Sequence, residues 1–500
     1  MKKSAISKFF LYRHRFALGY SLLLLAFVAL IFGLPLLSPA GLSQAEMESA
    51  THSYNLHLSS IFTGDLVDLP YRILQKLSIM TLGLTIYSVK LPSMIIGLML
   101  GLLLVLLLNR WFKNNVALLA SILAVLSSSF LYLAGSGTPL IMLVFWPTLL
   151  LWLGSKIQGV TKPKPLYCFI FAFALLASIF TPHLIYLAIF IVLFAFLHPH
   201  LRFTIKTLPI IPLVITTFII LAGGAALVMA VLINPPIASE LLLAPDFSFD
   251  HFLTNLQIAF LPFFSWNTTL ESTFLSPFVG LASVALAVIG LLSTTKGFFA
   301  SRNSIATCLI IFTIILSGLN PESAILILLP LAILIAHGLR YILDKWYDLF
   351  PENPYARITA LIPISIFLGI MIYGDISHFI FGNRYSPMVA DQYNDDITLI
   401  HEKVPENSTI YIIDDPVAFN FYQILEEEGS YIIEDLIPNR IDLPINFATL
   451  GPTDGFENNI NQIITSSKSN YSDRIYMYTV ERQIDDSAIN EDFNEETTEE

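Results

Sequence analysis

Long stretches without any charged side chain dominate the first three quarters of this chain. Nine windows that lack Asp, Glu, Lys and Arg locate the predicted spans: 16–45, 91–109, 114–155, 165–201, 207–239, 272–295, 303–321, 323–339 and 358–374. A helix crosses the hydrocarbon core of a bilayer with about 20 predominantly apolar residues. Hydrophobic residues make up 55% of the 500 residues and charged residues 13%, about half the roughly 25% of a soluble domain. The sequence therefore predicts a polytopic α-helical membrane protein and excludes a soluble globular fold.

Two of these windows contain turn signals in the middle. Gly135–Pro139 interrupts the window 114–155, and Thr181–His183 interrupts the window 165–201. Glycine and proline in such clusters end helices. Splitting both windows predicts about eleven transmembrane helices.

Lys and Arg are unevenly distributed over the segments that connect these spans. Of the 20 basic residues in 1–382, 17 fall on one side of the membrane, and only Arg72, Lys76 and Lys90 fall on the other. Cytoplasmic loops carry an excess of Lys and Arg. We therefore predict a multi-pass protein of the plasma membrane with a cytoplasmic N-terminus. An odd number of spans then places the last part of the chain outside the cytoplasm.

The last part of the chain has a different composition from the rest. Residues 383–500 hold 25 Asp and Glu against 6 Lys and Arg, whereas residues 1–382 hold 13 against 20. We predict a transmembrane domain over 1–382, a small extracytoplasmic α/β domain over 383–484, and a disordered acidic tail over 485–500. The acidic domain offers no basic face, so nucleic acid is excluded as a partner.

The predicted α/β domain rests on a few short patterns. Thr409–Ile413 is β-branched and aromatic, which is typical of a strand. Residues 417–428 then have a helical pattern, and 430–434 and 474–480 are further predicted strands.

Two long connections are predicted to lie on the outer face, at about 38–89 and 234–276. In the first, apolar residues recur at helical spacing over 42–62 and again after Pro70. Such stretches are typical of amphipathic helices in the plane of the membrane interface. The second connection contains no Lys or Arg and is rich in Phe and Leu. The two loops would together roof a cavity that opens towards lipid.

The first outer loop carries an unusual share of the acidic residues. Four of the 13 Asp and Glu in residues 1–382 stand there: Glu46, Glu48, Asp65 and Asp68. A carboxylate near the headgroup plane is costly unless it is solvated or paired. Two interpretations stay open, a wetted helix face at the interface or a general base acting at the membrane surface.

The order of these features resembles that of a known family. Leu42–Glu46 is similar to the L-x-x-D-E motif, and Lys90–Ser93 to the R-L-P-S motif, of the GT-C glycosyltransferases. Within that superfamily the closest resemblance is to the dolichyl-phosphate-mannose–protein mannosyltransferase-like group, glycosyltransferase family 39-like, in bacteria. Segments 277–291 and 329–339 are similar to the late spans of that group. Segment 404–411 is similar to the start of a strand in its outer C-terminal domain. The resemblance covers almost the whole chain.

The resemblance implies transfer of a sugar from a polyprenyl-phosphate donor to a protein, glycan or lipid acceptor, in protein or cell-envelope glycosylation. This chemistry requires a carboxylate that takes the proton of the acceptor hydroxyl. It also requires positive groups that stabilise the departing lipid phosphate. The membrane lipids around the chain are its other expected partners.

Seven residues are candidates for roles in the reaction that the resemblance implies. Glu46 is the candidate base, with Glu48 as the second candidate. The candidate substrate-binding residues are Asp65, Asp68, Arg72, Lys90 and His183. For Arg72 and Lys90, snorkelling to lipid headgroups remains open as the alternative, and for His183 a packed or capping role. A divalent metal ion between Glu46 and a second carboxylate is a further hypothesis.

Several polar positions depart from the family pattern. Ala45 replaces the Asp of the D-E pair, Gly135–Pro139 carries no acid, and Ala324 and Ile325 stand where an Arg or His is common. Asp68–Pro70 replaces the Lys-Pro-Pro of many members. These departures favour a catalytically inactive GT-C-fold scaffold or binding protein as the alternative function. A transporter is disfavoured because its charges should lie in mid-span, where the nine windows hold none.

Overall fold

The computed structural model describes most of the chain, in two compact units. The described residues are 15–37, 41–57, 66–158, 165–242, 248–264, 277–295, 300–349, 354–386, 389, 392–413, 415–435, 445–451, 459–465 and 474–480. The first unit, here called the membrane unit, comprises Met1–Ala40 and His52–Gln392. The second, here called the sheet unit, comprises Gly41–Thr51 and Tyr393–Glu500. Asp65 and the predicted acidic tail lie outside the described residues.

Helices make up the described part of the membrane unit. They are α1 (Arg15–Leu37), the end of α2 (Gln44–Tyr54), α3 (Leu69–Leu82), α4 (Ile86–Trp111), α5 (Asn114–Val125), α6 (Ser128–Gly135), α7 (Met142–Gln158), α8 (Pro165–Ser178), α9 (Leu184–Leu197), α10 (Pro199–Thr207), α11 (Ile210–Ile233), α12 (Pro236–Leu242), α13 (Phe249–Phe264), α14 (Leu281–Thr295), α15 (Ser301–Leu319), α16 (Leu328–Leu349) and α17 (Pro354–Tyr385). Short 3-10 helices, Pro139–Ile141 and Pro321–Ile327, precede α7 and α16. The predicted breaks at 135–139 and 181–183 are confirmed, because a helix ends before each of them.

Apolar helices long enough for a bilayer are plentiful in this unit. Within the described residues, six helices qualify by length and composition, or up to eight if each of two bent pairs is one span. The pairs α5–α6 and α9–α10 bend by 63° and 89°. Three shorter apolar helices cover Ser21–Gly33, Pro165–Ser178 and Leu281–Thr295. These helices indicate a multi-pass membrane protein, while the number of about eleven spans stays a prediction.

Helix α3 has the inverted polarity of a helix at a membrane interface. Its buried face includes Gln75 and Ser78. Its exposed face carries apolar side chains, with Leu77 60% and Met80 67% exposed. Apolar groups that face outward and polar groups that face the protein suit a helix bordered by lipid. The amphipathic stretch predicted after Pro70 is confirmed.

Helices α14 and α16 cross at a pair of glycines. A Cβ atom at Gly290 would overlap the carbonyl oxygen of Leu334, and one at Gly338 would overlap that of Leu286. Small residues allow the backbones of two membrane helices to approach this closely. The two helices also contribute to the main apolar core, where Leu286, Leu334 and their neighbours are buried.

A mixed five-stranded sheet forms the centre of the sheet unit. Its strands lie in the order β4 (Ile432–Glu434), β3 (Thr409–Tyr411), β5 (Ile445–Thr449), β7 (Arg474–Val480) and β6 (Ile460–Thr465). The first three are parallel, and β7 is antiparallel to both of its neighbours. Helices α18 (Asp396–Lys403) and α19 (Pro416–Glu427) accompany the sheet. The predicted strands at 409, 430 and 474 and the helix at 417 are confirmed, whereas β5, β6 and α18 were not predicted.

An early segment of the chain belongs to the sheet unit. Strand β1 (Leu42–Ser43) pairs antiparallel with β2 (Tyr393–Asn394), about 350 residues later in the sequence. Gly41 adopts φ 97°, and a Cβ at this position would overlap the carbonyl of Asn394. The backbone of the two strands therefore requires glycine at position 41.

The predicted orientation of the sheet unit can be tested by labelling a single cysteine. Glu427 is exposed at the end of α19. A Glu427→Cys variant, with Cys308 changed to Ala, should react with a membrane-impermeant maleimide in intact cells or spheroplasts. The rate of labelling in intact cells should equal the rate of labelling after the membrane has been ruptured. Cys168 is buried and provides the internal background control. Labelling that appears only after rupture would reverse the orientation.

Candidate active site

Asp68 occupies an unusual position at the start of helix α3. Its backbone is left-handed, with φ 53°, and its side chain makes no capping hydrogen bond. The side chain is 9% exposed, and Oδ1 has no hydrogen-bond partner among the described residues. Non-glycine residues in this backbone region are uncommon and occur often at functional sites. Burial raises the pKa of the Asp68 carboxyl to about 7, against a lowering influence of Arg72 and a raising influence of Glu322.

His183 has the same combination of features at the start of helix α9. Its φ is 67°, and its side chain is 3% exposed. Nδ1 lies 2.8 Å from the hydroxyl of Ser323, while Nε2 is buried with no partner in the described part of the chain. Burial lowers the pKa of His183 to about 4, so the imidazole is neutral near pH 7. The side chain makes no capping hydrogen bond to the helix, so the capping role is wrong, while the packed role and the substrate-binding role both stay open.

Backbone contacts bring these two residues into one cluster. The N–H of Asp68 donates to the carbonyl of Phe180 at 2.7 Å, three residues before His183. The hydroxyl Oγ1 of Thr181 is also buried without a partner among the described residues. Glu322, next to Ser323, is close enough to raise the pKa of Asp68. We call Asp68, Thr181, His183 and Ser323 the polar cluster.

The polar cluster sits on an apolar base formed by the two long loops. Leu66 and Val67 pack with Ile237 and Leu241 in a small core. The N–H of His183 donates to the carbonyl of Leu241 at 3.1 Å. Native proteins leave few buried polar groups unpaired, so each such group calls for an explanation. Three of them on two adjacent segments are the arrangement expected of a site that binds a polar ligand.

The three basic residues predicted to lie on the outer face differ in their surroundings. Lys76 donates to the carbonyls of Tyr54 at 2.8 Å and Leu56 at 2.6 Å, so it fixes the end of helix α2. Arg72 is half-buried one helical turn after Asp68. Lys90 is 0% exposed, so snorkelling to lipid headgroups is wrong for this residue.

Gln75 fixes the position of Lys90 relative to the helix that carries Arg72. Its side-chain amide donates to the carbonyls of Val89 at 3.1 Å and Gly137 at 2.9 Å, and its oxygen accepts from Ser53 at 2.7 Å. Nearby, the hydroxyls of Tyr71 and Ser93 are 2.8 Å apart. These buried bonds hold α3 against the start of α4 with little freedom.

Glu46 and Glu48 both belong to the sheet unit. Glu46 is 0% exposed and accepts a hydrogen bond from the N–H of Ser43 at 2.9 Å. The hydroxyl of Ser43 in turn accepts from the N–H of Glu46 at 3.3 Å. This reciprocal pair is a capping box, which stabilises the start of helix α2. Glu48 is exposed on the other side of the helix.

A metal centre finds little support in this arrangement. No group of three or more His, Cys, Asp or Glu side chains that could hold a metal ion occurs within the described residues. Glu46 accepts a hydrogen bond in its capping box, and the polar cluster supplies one carboxylate and one imidazole.

Comparison with solved structures identifies the architecture. No protein-family profile and no curated protein sequence matches the chain. ArnT from Cupriavidus metallidurans in the apo state has a TM-score of 0.50 at 12% identity, over 93% of this chain and 98% of ArnT. The oligosaccharyltransferase of Archaeoglobus fulgidus in the apo form has a TM-score of 0.51 at 12% identity, over 86% of this chain and 65% of that protein. AglB from the same organism, in complex with an inhibitory peptide and a dolichol-phosphate, has a TM-score of 0.50 at 14% identity. The match covers 84% of this chain and 65% of AglB.

These neighbours are GT-C glycosyltransferases. The protein has a GT-C-like fold. The resemblance drawn from Leu42–Glu46 and Lys90–Ser93 is thus confirmed at the level of the fold. The chain spans just under two thirds of the length of the archaeal proteins.

Three residues of this GT-C-like protein escaped the sequence reasoning. Glu322 and Ser323 follow Asn320-Pro321, a helix-start signal, but nothing local indicates contact with residues near 68 or 183. Asp375 is buried within the candidate span Ile362–Tyr385 and accepts a backbone hydrogen bond from Gly280. The charge-free window ends one residue before it, so the candidate span holds one buried acidic side chain that the window did not include.

The raised pKa of Asp68 predicts how stability should depend on pH. The folded protein binds this proton with a pKa of about 7, against 3.8 for an ordinary aspartate. Between these values the folded state holds more protons than the unfolded state, so the free energy of unfolding falls as pH rises. Asp68→Asn cannot bind or release this proton, so the variant does not lose free energy of unfolding at this position as pH rises. Relative to wild type, the variant should gain thermal stability between pH 5 and pH 8 in detergent.

The exposed residue Glu48 provides the control for this experiment. Glu48→Gln should shift the unfolding temperature by the same small amount at every pH. A difference between Asp68→Asn and wild type that stays constant from pH 5 to pH 8 would contradict a buried, protonated Asp68.

Proposed function

We propose that the protein is a membrane glycosyltransferase that transfers a sugar from a polyprenyl-phosphate donor to an acceptor on the extracytoplasmic face. The observation that carries this proposal is the polar cluster, with three unpartnered buried polar atoms, within a GT-C-like fold. The dolichol-phosphate and inhibitory peptide held by AglB support a lipid-phosphate donor and a separate acceptor.

In this proposal Asp68 is the general base. Its carboxylate takes the proton of the acceptor hydroxyl, and the acceptor oxygen forms a bond to the anomeric carbon of the sugar. The bond from that carbon to the phosphate oxygen breaks, and the lipid phosphate leaves with the electron pair. A base with a pKa near the working pH is the most effective, and Asp68 has a pKa of about 7.

The basic residues and His183 have supporting roles in the proposed reaction. Arg72 and Lys90 stabilise the negative charge that develops on the leaving phosphate, because cations held in a site of low dielectric interact strongly with such charge. Neutral His183, oriented by Ser323, offers Nε2 to a hydroxyl of the sugar or the acceptor. Glu46 is retained as a second hypothesis for the base.

The proposed function can be tested with purified protein in liposomes. Labelled sugars on polyprenyl phosphates of several sugar types are supplied, and transfer to added peptide, glycan or lipid acceptors is measured. Turnover with at least one donor, released as free polyprenyl phosphate and glycosylated acceptor in equal amounts, is the expected result.

A catalytically inactive scaffold is the second candidate, favoured by the capping box that engages Glu46. Binding of a polyprenyl-phosphate sugar with no turnover across the whole panel would support it. An absence of both binding and turnover would remove both functions.

A further inference from the structure

An apolar cavity of the membrane unit begins at the helix ends that lie away from the polar cluster. Its volume is about 400 Å³, within the range of about 300–1,000 Å³ that ligand pockets show. It is lined by the last residues of α4 and α7 and by the first residues of α15, including Trp111, Gln158 and Ser301. The polar cluster stands instead next to the end of α8, the start of α9 and the residues after α15. The lining of the cavity runs along α8 and α9 as far as Leu175 and Leu187, so the cavity extends from that end of the helices towards the polar cluster.

The cavity is open at the surface that faces lipid. Val192 and Phe196 of helix α9 line it and are 49% and 72% exposed. Most of the remaining lining comes from aliphatic and aromatic side chains of α7, α9 and α11, such as Leu150 and Ile220. An open apolar cavity in a transmembrane region is filled by hydrocarbon, since water gains no hydrogen bonds there.

Basic side chains flank the cavity, and acidic ones are absent from the lining helices. Lys156 lies between the lining residues Ser155 and Ile157, and Arg202 and Lys206 each follow a lining residue of α10. The sequence contains no Asp or Glu between Asp68 and Glu240. Helix α15 also lacks acids, and its Arg302 donates to the carbonyl of the lining residue Trp111 at 2.7 Å. Four basic residues therefore stand beside lining residues in the sequence, and the lining helices contain no acidic residue.

We propose that this cavity binds an anionic glycerophospholipid of the surrounding membrane. One acyl chain fills the apolar cavity, and the phosphate lies at the rim formed by Lys156, Arg202 and Lys206. The predicted orientation puts this rim in the cytoplasmic leaflet, whose anionic lipids attract basic segments. Binding of such a lipid does not require that the proposed function be correct.

The structure offers a substitution that fills the cavity without disturbing the backbone. Gly154 lines the cavity, and a Cβ added there meets no atom within 4 Å. Gly224 on helix α11 has the same free space and does not line the cavity. Gly154→Phe is thus the test variant and Gly224→Phe its matched control, with Gly154→Leu as a smaller replacement if the first fails to fold.

The experiment measures binding of radiolabelled phosphatidylglycerol to the purified full-length protein in detergent. Competition with unlabelled phosphatidylglycerol, phosphatidylcholine and polyprenyl phosphate is measured in parallel. Phosphatidylglycerol should compete at least tenfold better than the other two lipids. Gly154→Phe should weaken binding at least tenfold, and Gly224→Phe by less than twofold.

Charge variants test the rim separately from the cavity. Each Lys or Arg near a lipid surface changes affinity by about fivefold. Arg202→Gln and Lys206→Gln should each weaken binding of phosphatidylglycerol by about that factor and leave phosphatidylcholine unchanged. Lys345→Gln, on helix α16 outside the cavity lining, is the control and should have no effect.

Three outcomes would overturn the proposal. Equal competition by phosphatidylcholine would show that the rim does not select charge. Unchanged binding in a folded Gly154→Phe variant would place the lipid elsewhere. Tighter competition by polyprenyl phosphate than by phosphatidylglycerol would assign the cavity to the lipid carrier instead.

Discussion

Asp68→Asn should reduce sugar transfer by about 10²–10⁴-fold, the usual cost of removing a general base. Asparagine keeps the size and the hydrogen-bonding capacity of the side chain but cannot accept the proton of the acceptor hydroxyl. Wild-type kcat/KM should rise with pH through about 7, where the Asp68 carboxyl ionises. The residual activity of the variant should lack that rise.

Two parallel variants separate the candidate bases. Glu46→Gln keeps an oxygen that can accept the hydrogen bond from Ser43, so it should lower activity by less than tenfold if Asp68 is the base. Glu48→Gln, on the exposed side of helix α2, should have no effect. A large loss in Glu46→Gln together with normal turnover in Asp68→Asn would transfer the role of base to Glu46.

The glycine crossing of α14 and α16 should be the position where a single methyl group does the most damage to stability. In Gly290→Ala or Gly338→Ala the new Cβ would overlap a backbone carbonyl, which cannot rotate away as a side chain can. The helices must separate, and overpacking of this kind costs about 1–3 kcal/mol or more. Thermal unfolding in detergent should show a clear drop for each variant, and the double variant should lose less than the sum because the contacts are shared.

The control for these variants is another helical glycine. A Cβ added at Gly369 in helix α17 meets no atom within 4 Å. Gly369→Ala should be neutral or should stabilise the protein by up to about 1 kcal/mol, because alanine favours helix more than glycine does. Equal destabilisation at Gly290, Gly338 and Gly369 would show that close packing of α14 and α16 is not the cause.

Local sequence patterns were sufficient to predict much of the secondary structure of the fold. The charge-free windows predicted apolar helices, and the breaks at Gly135–Pro139 and Thr181–His183 fall where helices end. The strand predicted at 474–480 coincides with β7. Each of these signals is local, because the hydrophobic period and the turn residues of a segment determine the conformation of that same segment.

Strand β5 shows why some elements of the sheet unit escaped prediction. Phe447, Ala448 and Thr449 are all buried, so the strand lacks the alternation of buried and exposed residues that identifies a strand in sequence. A strand covered on both faces cannot be distinguished from other apolar runs by its period. Its place between β3 and β7 is decided by pairing partners in distant parts of the chain.

The candidate site required the tertiary structure for the same reason. The sequence alone identified Asp68 and His183 as separate candidates and put Glu46 first, because an acidic motif early in the loop matched a family pattern. It could have shown the capping box, since Ser43 and Glu46 have its spacing. It could not show that Asp68 meets the segment of His183 115 positions later, or that Ser323 lies against that imidazole. Composition and periodicity fix what enters the membrane, whereas the packing of α3, α9 and the segment after α15 decides which polar groups meet and which remain unpaired.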